Sequence, residues 1–438
     1  MIQSFRLLNK SIDFLDKILI VFISLIPLSL ALSIFVADLL TSLSGLILIT
    51  KFFEKKSRNI FYSIKKEAIY FLLLYLIIII SLILTNYKEK SFLASFFYFR
   101  YFFLSVSIFY LLKKYDLFFE FFYKTFFLSI GLVIIDALFQ YAFGFNLLGY
   151  KVVIYESGDI NYISGFFNEE KKLGSYLVRF FPLILSIIYL LKPKISTKIE
   201  FTILITISLF ILLSSERTAL FLLLVIYFFY FLISTKKIIF VSFIIIVFSL
   251  FFSFEKSLLY KYVNFTLEQT GLDLLLQTKQ HPIDKDIIRY YSYEHENLSY
   301  TGLVAFKKNF MFGTGVKSFY SYCNDKIQKF QFADGYRNNR LVCSTHPHNT
   351  YVQILSEIGI FGFCIIFFLF LKTILVNLKI LFNRNKDNII KSYFFLNLSI
   401  IINLMPLIPS GSFFNNWICL IIFFPIGFWL YVRDKITK

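Results

Sequence analysis

The chain has 438 residues, 58% of them hydrophobic and only 16% charged, with a mean hydropathy of +0.71. A soluble globular chain is about 45–50% apolar and about 25% charged, so this one belongs in lipid; its 16 Gly and 8 Pro exclude a collagen-like or disordered chain. The net charge of +18 invites a nucleic-acid reading until the charges are placed.

A bilayer crossing needs roughly 17–25 apolar residues. The run from Ile18 to Phe53 carries one charge before Lys51, Asp38, and at 36 residues it is too long for one span. It is therefore read as a helical hairpin turning near Ser33–Asp38. Further spans are expected near 68–85, 92–112, 118–141, 174–191, 199–214, 217–234, 238–253, 349–376, 392–409 and 416–432. The total is about twelve transmembrane helices, an all-α polytopic membrane protein. No A-x-A-like cleavage site follows the first apolar segment, so it reads as a retained anchor. The 60 Phe and 29 Tyr read as lipid-facing filler rather than a stacking platform.

Alternate connections are rich in Lys and Arg: Lys51 to Lys66, Lys113 and Lys114, Lys192 to Lys198, Lys236 and Lys237, Lys379 to Lys391, and Arg433 to Lys438. By the positive-inside rule these connections and both termini face the cytoplasm. The basic excess is then mainly a topology signal, matched to anionic lipid headgroups, and not a nucleic-acid surface. Two long connections, 142–173 and 254–348, fall on the opposite side. The expected organisation is nine helices over 1–253 with an outer loop at 142–173, a large periplasmic loop over 254–348, and three helices over 349–438. Within the large loop, Phe254–Leu272 has apolar residues at helical spacing and is expected to lie along the membrane surface.

All four histidines, His281, His295, His346 and His348, fall in that large loop. Histidine suits proton transfer near neutral pH. His281 and His295 read as ordinary polar residues of a wet segment. His346 and His348 differ, because they flank Pro347 at the mouth of a span. As a metal site, His346-x-His348 has only Cys323 and Cys343 as nearby soft ligands and no acidic cluster, which argues against zinc. Those two cysteines face an oxidising compartment and are candidates for a disulfide; Cys364 and Cys419 read as packing residues. Among the basic residues, Arg217 sits in a tight outer turn and Arg289 in the large loop. A guanidinium there suits a phosphate or pyrophosphate. Arg100, Asp136, Arg179 and Glu357 are ionisable groups inside spans, each either functional or held in an internal ion pair.

The run His348-Asn349, nine residues, then Gly359-Ile360-Phe361-Gly362 resembles the H-[N/S/Q]-x9-G-x-x-G signature of O-antigen ligases and O-antigen polymerases. Tyr351, Gln353 and Glu357 resemble its usual filling. Ser215-Glu216-Arg217-Thr218-Ala219 resembles the family's S-x-R-[TG]-A turn, and Ser164–Glu169 with Leu173–Leu177 resembles the segment after its first outer loop. Asn309–Gly315 is similar to its N-P-x-x-G-x-G element, departing from it at Phe310 and Met311. The resemblance runs in order over roughly residues 160–362. It implies a GT-C-like fold with a mainly helical periplasmic loop, and a metal-independent, inverting glycosyltransferase with no cofactor.

The implied donor is an undecaprenyl-pyrophosphate-linked glycan. The implied acceptor is a sugar hydroxyl of lipid A–core in a ligase, or a second lipid-linked repeat unit in a polymerase. His348 maps onto the catalytic base, with Arg217 and Arg289 as the groups that hold the departing pyrophosphate. His346, Asn349, Glu169, Arg179 and Glu357 are expected to support the site or contact substrate. The implied location is the bacterial inner membrane, with the site facing the periplasm. A transporter or flippase is the rival from another class, with Arg100, Asp136 and Arg179 lining a path; it would place its site at mid-membrane rather than at one face.

Overall fold

The computed structural model describes residues 12–154, 161–192, 194–254, 256–272, 291–327, 341–383, 387–406 and 408–437. The architecture is helical. Among the described residues, β structure is confined to two paired two-residue strands, β1 (Val153–Ile154) and β2 (Asn161–Tyr162), and one isolated bridge, Phe145 with Lys151. The first apolar run breaks where the sequence expects. α1 (Phe14–Leu32) and α2 (Ile34–Phe52) are separated by extended Ser33, whose side chain caps α2. There follow α3 (Lys55–Tyr62), α4 (Lys65–Leu84), α5 (Lys88–Phe96), α6 (Phe99–Lys114), α7 (Asp116–Phe143), α8 (Leu173–Leu191), α9 (Thr197–Leu213), α10 (Arg217–Ile233) and α11 (Lys237–Phe254). The large loop holds α12 (Lys256–Thr270), α13 (Tyr293–Lys308) and α14 (Phe319–Tyr322), and the chain closes with α15 (Thr350–Phe382), α16 (Asn388–Asn403) and α17 (Asn416–Ile436).

Among the described residues, eight helices, counting Lys88–Lys114 as one, are long and apolar enough to cross a membrane, against the twelve the sequence leads one to expect. The other four expected spans are helical as α9, α10, α11 and α16, but run only 17, 17, 18 and 16 residues, at the short limit for a crossing. Apolar residues divide by position. In α8, sixteen of nineteen residues are buried, and it packs against α16, α9 and α10 as the central post. In α4, Leu72, Leu76, Ile80 and Ile83 are exposed, as expected of a helix whose outer face meets lipid.

The ionisable residues inside spans have local partners. Arg100 pairs with Asp38 at 2.9 Å. Buried Asp136 accepts from Leu147 N at 2.9 Å and Asn146 Nδ2 at 3.2 Å, fixing the turn after α7. Arg179 donates to Asn403 Oδ1 at 2.6 Å. Arg179 and Arg100 line two different cavities. Part of the basic excess is also internally neutralised: buried Lys51 contacts Asp13 at 2.5 Å and Glu54 at 2.7 Å, and Lys114 contacts Asp16 at 2.8 Å.

The two glycine motifs turn out to be one structural device. α15 is kinked at Gly359, whose φ of 72° and ψ of −168° are non-helical. The segment 310–315 crosses the helix at this kink. Thr314 N donates to Ser356 O at 2.8 Å, Gly315 N to Glu357 O at 2.9 Å, and Ile360 N to Phe310 O at 2.9 Å. The carbonyls freed by the kink are thus satisfied by the crossing strand. A Cβ on Gly359 would lie 2.1 Å from Met311 O, and one on Gly313 (φ 67°) 2.3 Å from the Glu357 carbonyl carbon. Gly359→Ala is therefore expected to cost at least about 2 kcal/mol, from a left-handed backbone plus a backbone clash. The check is a lowered Tm of the detergent-purified protein. A wild-type Tm would show that the crossing can give way.

Candidate functional site

A cavity of about 510 Å³ opens at one end of the bundle, lined by Lys171, Lys172, Arg179, Glu216, Arg217, Tyr291, His295, His348, Asn415 and Trp417, with the 409–412 turn. Four helices, α8, α10, α15 and α17, begin at or beside it. The positive dipole ends of these helices raise the potential there, although several of their first N–H groups are already taken up by side-chain caps. Each start is locally specified. Asn349 and Asn415 cap α15 and α17 by accepting from Tyr351 N (3.0 Å) and Trp417 N (2.9 Å). Glu216 serves α8 from another loop, accepting from Gly174 N (2.7 Å), Ser175 N (3.0 Å) and Ser175 Oγ (2.5 Å). Burial pushes its carboxyl up to about 7, against the pull of those donors.

His348 projects from a backbone turn with φ of 54°, a left-handed conformation uncommon for a residue other than glycine. The 408–413 segment holds that turn in place. Ser410 N donates to His348 O at 2.8 Å. The His346 ring Nε2 contacts Ser410 O at 3.1 Å, and Thr350 Oγ1 donates to Ser410 Oγ at 2.9 Å. One turn further on, Phe413 N donates to Gln353 Oε1 at 2.8 Å. The His348 ring stands 4.0 Å from that of His346 and 5.4 Å from that of His295, centroid to centroid. Burial, with two imidazoles as neighbours, lowers His348 to about 4, so it is neutral at ordinary pH. The same burial lowers His346 and His295.

Arg217 begins α10, with Nη2 donating to Gln269 Oε1 at 2.5 Å and Nη1 to Thr266 Oγ1 at 3.4 Å. α12, expected to lie along the surface, is thereby tied to the cavity's edge, and its Tyr262 hydroxyl donates to Leu212 O at 2.9 Å. Cys323 and Cys343 form a disulfide, with their Cα atoms 5.7 Å apart. Among the described residues, no group of three or more His, Cys, Asp or Glu side chains is arranged to hold a metal ion.

The cavity therefore brings together Arg217, His348 and Arg179 from the residues the sequence singled out. His346 packs behind His348. Asn349 turns away, its Nδ2 donating to Pro406 O at 2.9 Å. Glu357 is buried at the kink, where its Oε2 accepts from Lys317 N at 2.9 Å; its position is that of a pin for the crossing strand. Glu169 is exposed and does not line the cavity. Arg289 and His281 lie outside the described residues.

Several contributors escaped the sequence reading, Lys171, Lys172, Asn415 and Trp417 among them. His295 carries no local mark that separates it from a solvated histidine. Glu216 was only the middle of an arginine motif. The Pro409-Ser410-Gly411-Ser412 turn was readable as a turn, but nothing in it announced a wall of the site.

Among curated proteins none matches the chain. Residues 202–367 match the family model described as O-antigen ligase, a stretch that takes in Arg217, His295, His348 and the Gly359–Gly362 pair.

Proposed function

We propose that this protein is a glycosyltransferase of the O-antigen ligase type. It moves a glycan from undecaprenyl pyrophosphate onto a sugar hydroxyl of lipid A–core at the periplasmic face of the inner membrane. The observation that carries the reading is the shared cavity: His348 and Arg217 both line it, and four helices begin at or beside it. The donor already has a good leaving group, so the reaction needs a base and stabilisation of negative charge. His348 takes the proton of the acceptor hydroxyl. The oxygen attacks the anomeric carbon from the side opposite the pyrophosphate, the bond from that carbon to the phosphate oxygen breaks, and its electron pair leaves with the pyrophosphate. The product is inverted at that carbon. Arg217, Lys171, Lys172 and the helix N-termini receive the leaving group, with Arg289 assigned to the same role. His346, held by Ser410 O, fixes the orientation of His348.

The alternating Lys and Arg of the opposite connections and the Cys323–Cys343 disulfide both support a periplasmic cavity. On this reading α9, α10, α11 and α16 also cross, giving twelve spans with both termini cytoplasmic. Lipopolysaccharide from a deletion strain tests the assignment. Long polymer accumulating on undecaprenol supports the ligase; core bearing a single repeat makes it a polymerase instead. Unchanged lipopolysaccharide would overturn both.

The depressed His348 also fixes a pH dependence. The base works deprotonated, so activity is lost as pH falls through its pKa, and a pKa near 4 moves that loss well below the ordinary histidine range. The acid limb of kcat/KM, which reports the free enzyme, is expected below pH 5. A limb centred at about 6.5 or above would rule out this environment for the base.

A further inference from the structure

A second cavity, of about 360 Å³, lies inside the bundle between α4, α15, α16 and α17; it shares Phe413 with the segment that holds the His348 turn, and none of the side chains given a role in transfer lines it. Its body is apolar, with Leu74, Ile366, Ile400 and Ile426 among the lining residues. Along α17 the lining runs from Ile422 to Arg433, roughly 16 Å at 1.5 Å per residue. That is about half of a hydrocarbon core of roughly 30 Å, the depth of one leaflet. One end is polar and basic, where Lys66, Lys372 and Arg433 stand against a single carboxylate, Glu67. Lys372 comes 22 residues after Thr350 in α15, about 33 Å along the helix, so this end faces away from the His348 cavity.

The basic end has the make-up of a headgroup site. Arg433 is already engaged by Glu67, by Ser63 O at 3.2 Å and by the Trp429 ring at 5.5 Å. Lys372 lies 4.9 Å from the centroid of the Tyr70 ring. Lys66 and Lys372 are both exposed at the mouth. With Arg433 balanced by Glu67, these two lysines leave an unbalanced positive charge over an apolar shaft one leaflet deep. A basic pocket between transmembrane helices that leads into apolar space matches an anionic phospholipid.

We propose that this cavity is a binding site for an anionic glycerophospholipid of the leaflet opposite the His348 cavity. Its phosphodiester sits between Lys66 and Lys372, and one acyl chain fills the shaft towards Leu404. The lipid would brace α4 and α15 against α16 and α17, and α15 is the helix whose start carries His348.

The test is native mass spectrometry of the full-length protein in detergent, with dioleoyl phosphatidylglycerol or dioleoyl phosphatidylcholine added. One phosphatidylglycerol is expected to be retained in preference to phosphatidylcholine. The exposed pair Lys66→Gln/Lys372→Gln is expected to weaken that binding about 30-fold, from about 1 kcal/mol per basic residue, with an unchanged Tm. Ile426→Trp, which fills the shaft and leaves the charges alone, is expected to lose the lipid as well. Equal retention of the two lipids would overturn the site, as would undiminished phosphatidylglycerol binding in either variant. So would displacement of phosphatidylglycerol from the shaft by undecaprenyl phosphate. None of these readouts depends on glycan transfer, so the site stands or falls apart from the function proposed above.

Discussion

His348→Asn is expected to lower glycan transfer by about 10²–10⁴-fold, the usual worth of a positioned general base, while leaving Tm and abundance at wild-type values. Asparagine is the informative replacement because the backbone at 348 has a φ of 54°, and asparagine enters that region more readily than most residues. The hydrogen bond from Ser410 N goes to the His348 carbonyl and survives the change. The 346–350 turn should therefore keep its shape and lose only the imidazole. Transfer is measured in vitro with lipid-linked donor and purified acceptor, at saturating and at limiting concentrations. Full activity would remove His348 from the mechanism. Loss of activity with a fallen Tm would instead report damage to the turn, and His348→Gln then repeats the test.

The second large effect is expected at Arg217. Removing a cation that meets charge developing on the leaving group typically costs about 10²–10³ in rate, and Arg217→Ala is expected to fall in that range. Arg217→Lys keeps the charge but not the planar fork, so an intermediate rate is expected. The side chain also ties α12 to the cavity through Gln269 and Thr266, and that tether could account for a loss on its own. Gln269→Ala separates the two roles, because it removes the shorter of the two tethering hydrogen bonds and keeps the cation. It is expected to stay within several-fold of wild type. If Gln269→Ala were as impaired as Arg217→Ala, Arg217 would be a positioning residue for α12 and not a leaving-group contact.

The legibility of this protein in its sequence follows the range of the interactions concerned. The α1–α2 break at Ser33 and the starts of α10 and α15 were readable because each is set by a run of apolar side chains and a neighbouring cap or turn, whereas α8 takes its cap from Glu216, about 40 residues away. The number of crossings was less so: α9, α10, α11 and α16 are helices of marginal length, and whether such a helix crosses depends on its neighbours. His348 and Arg217 were found through short motifs. Glu357, in the same motif as His348, was expected to support the site or contact substrate, yet it is bonded to Lys317 N at the α15 kink, away from the cavity.

The opposite error concerned His295. In sequence it is one more histidine in a wet loop, and only the packing of α13 against α15 brings its ring to 5.4 Å from His348. The Asn309–Gly315 and Gly359–Gly362 elements were recognised separately. That they are two halves of one backbone crossing depends on contacts between residues about 45 apart, such as that of Thr314 N with Ser356 O.

What the sequence determined by itself was the membrane character and the helices, because hydropathy and charge are local and survive without a fold; His348 and Arg217 it offered as candidates through short motifs. The tertiary structure decided what those residues are in practice. Burial beside two neighbouring imidazoles lowers the His348 pKa below the ordinary histidine range, and four helices from distant parts of the chain begin at one cavity. A buried charge state and a focused field arise from many segments at once, and no single stretch of chain encodes them.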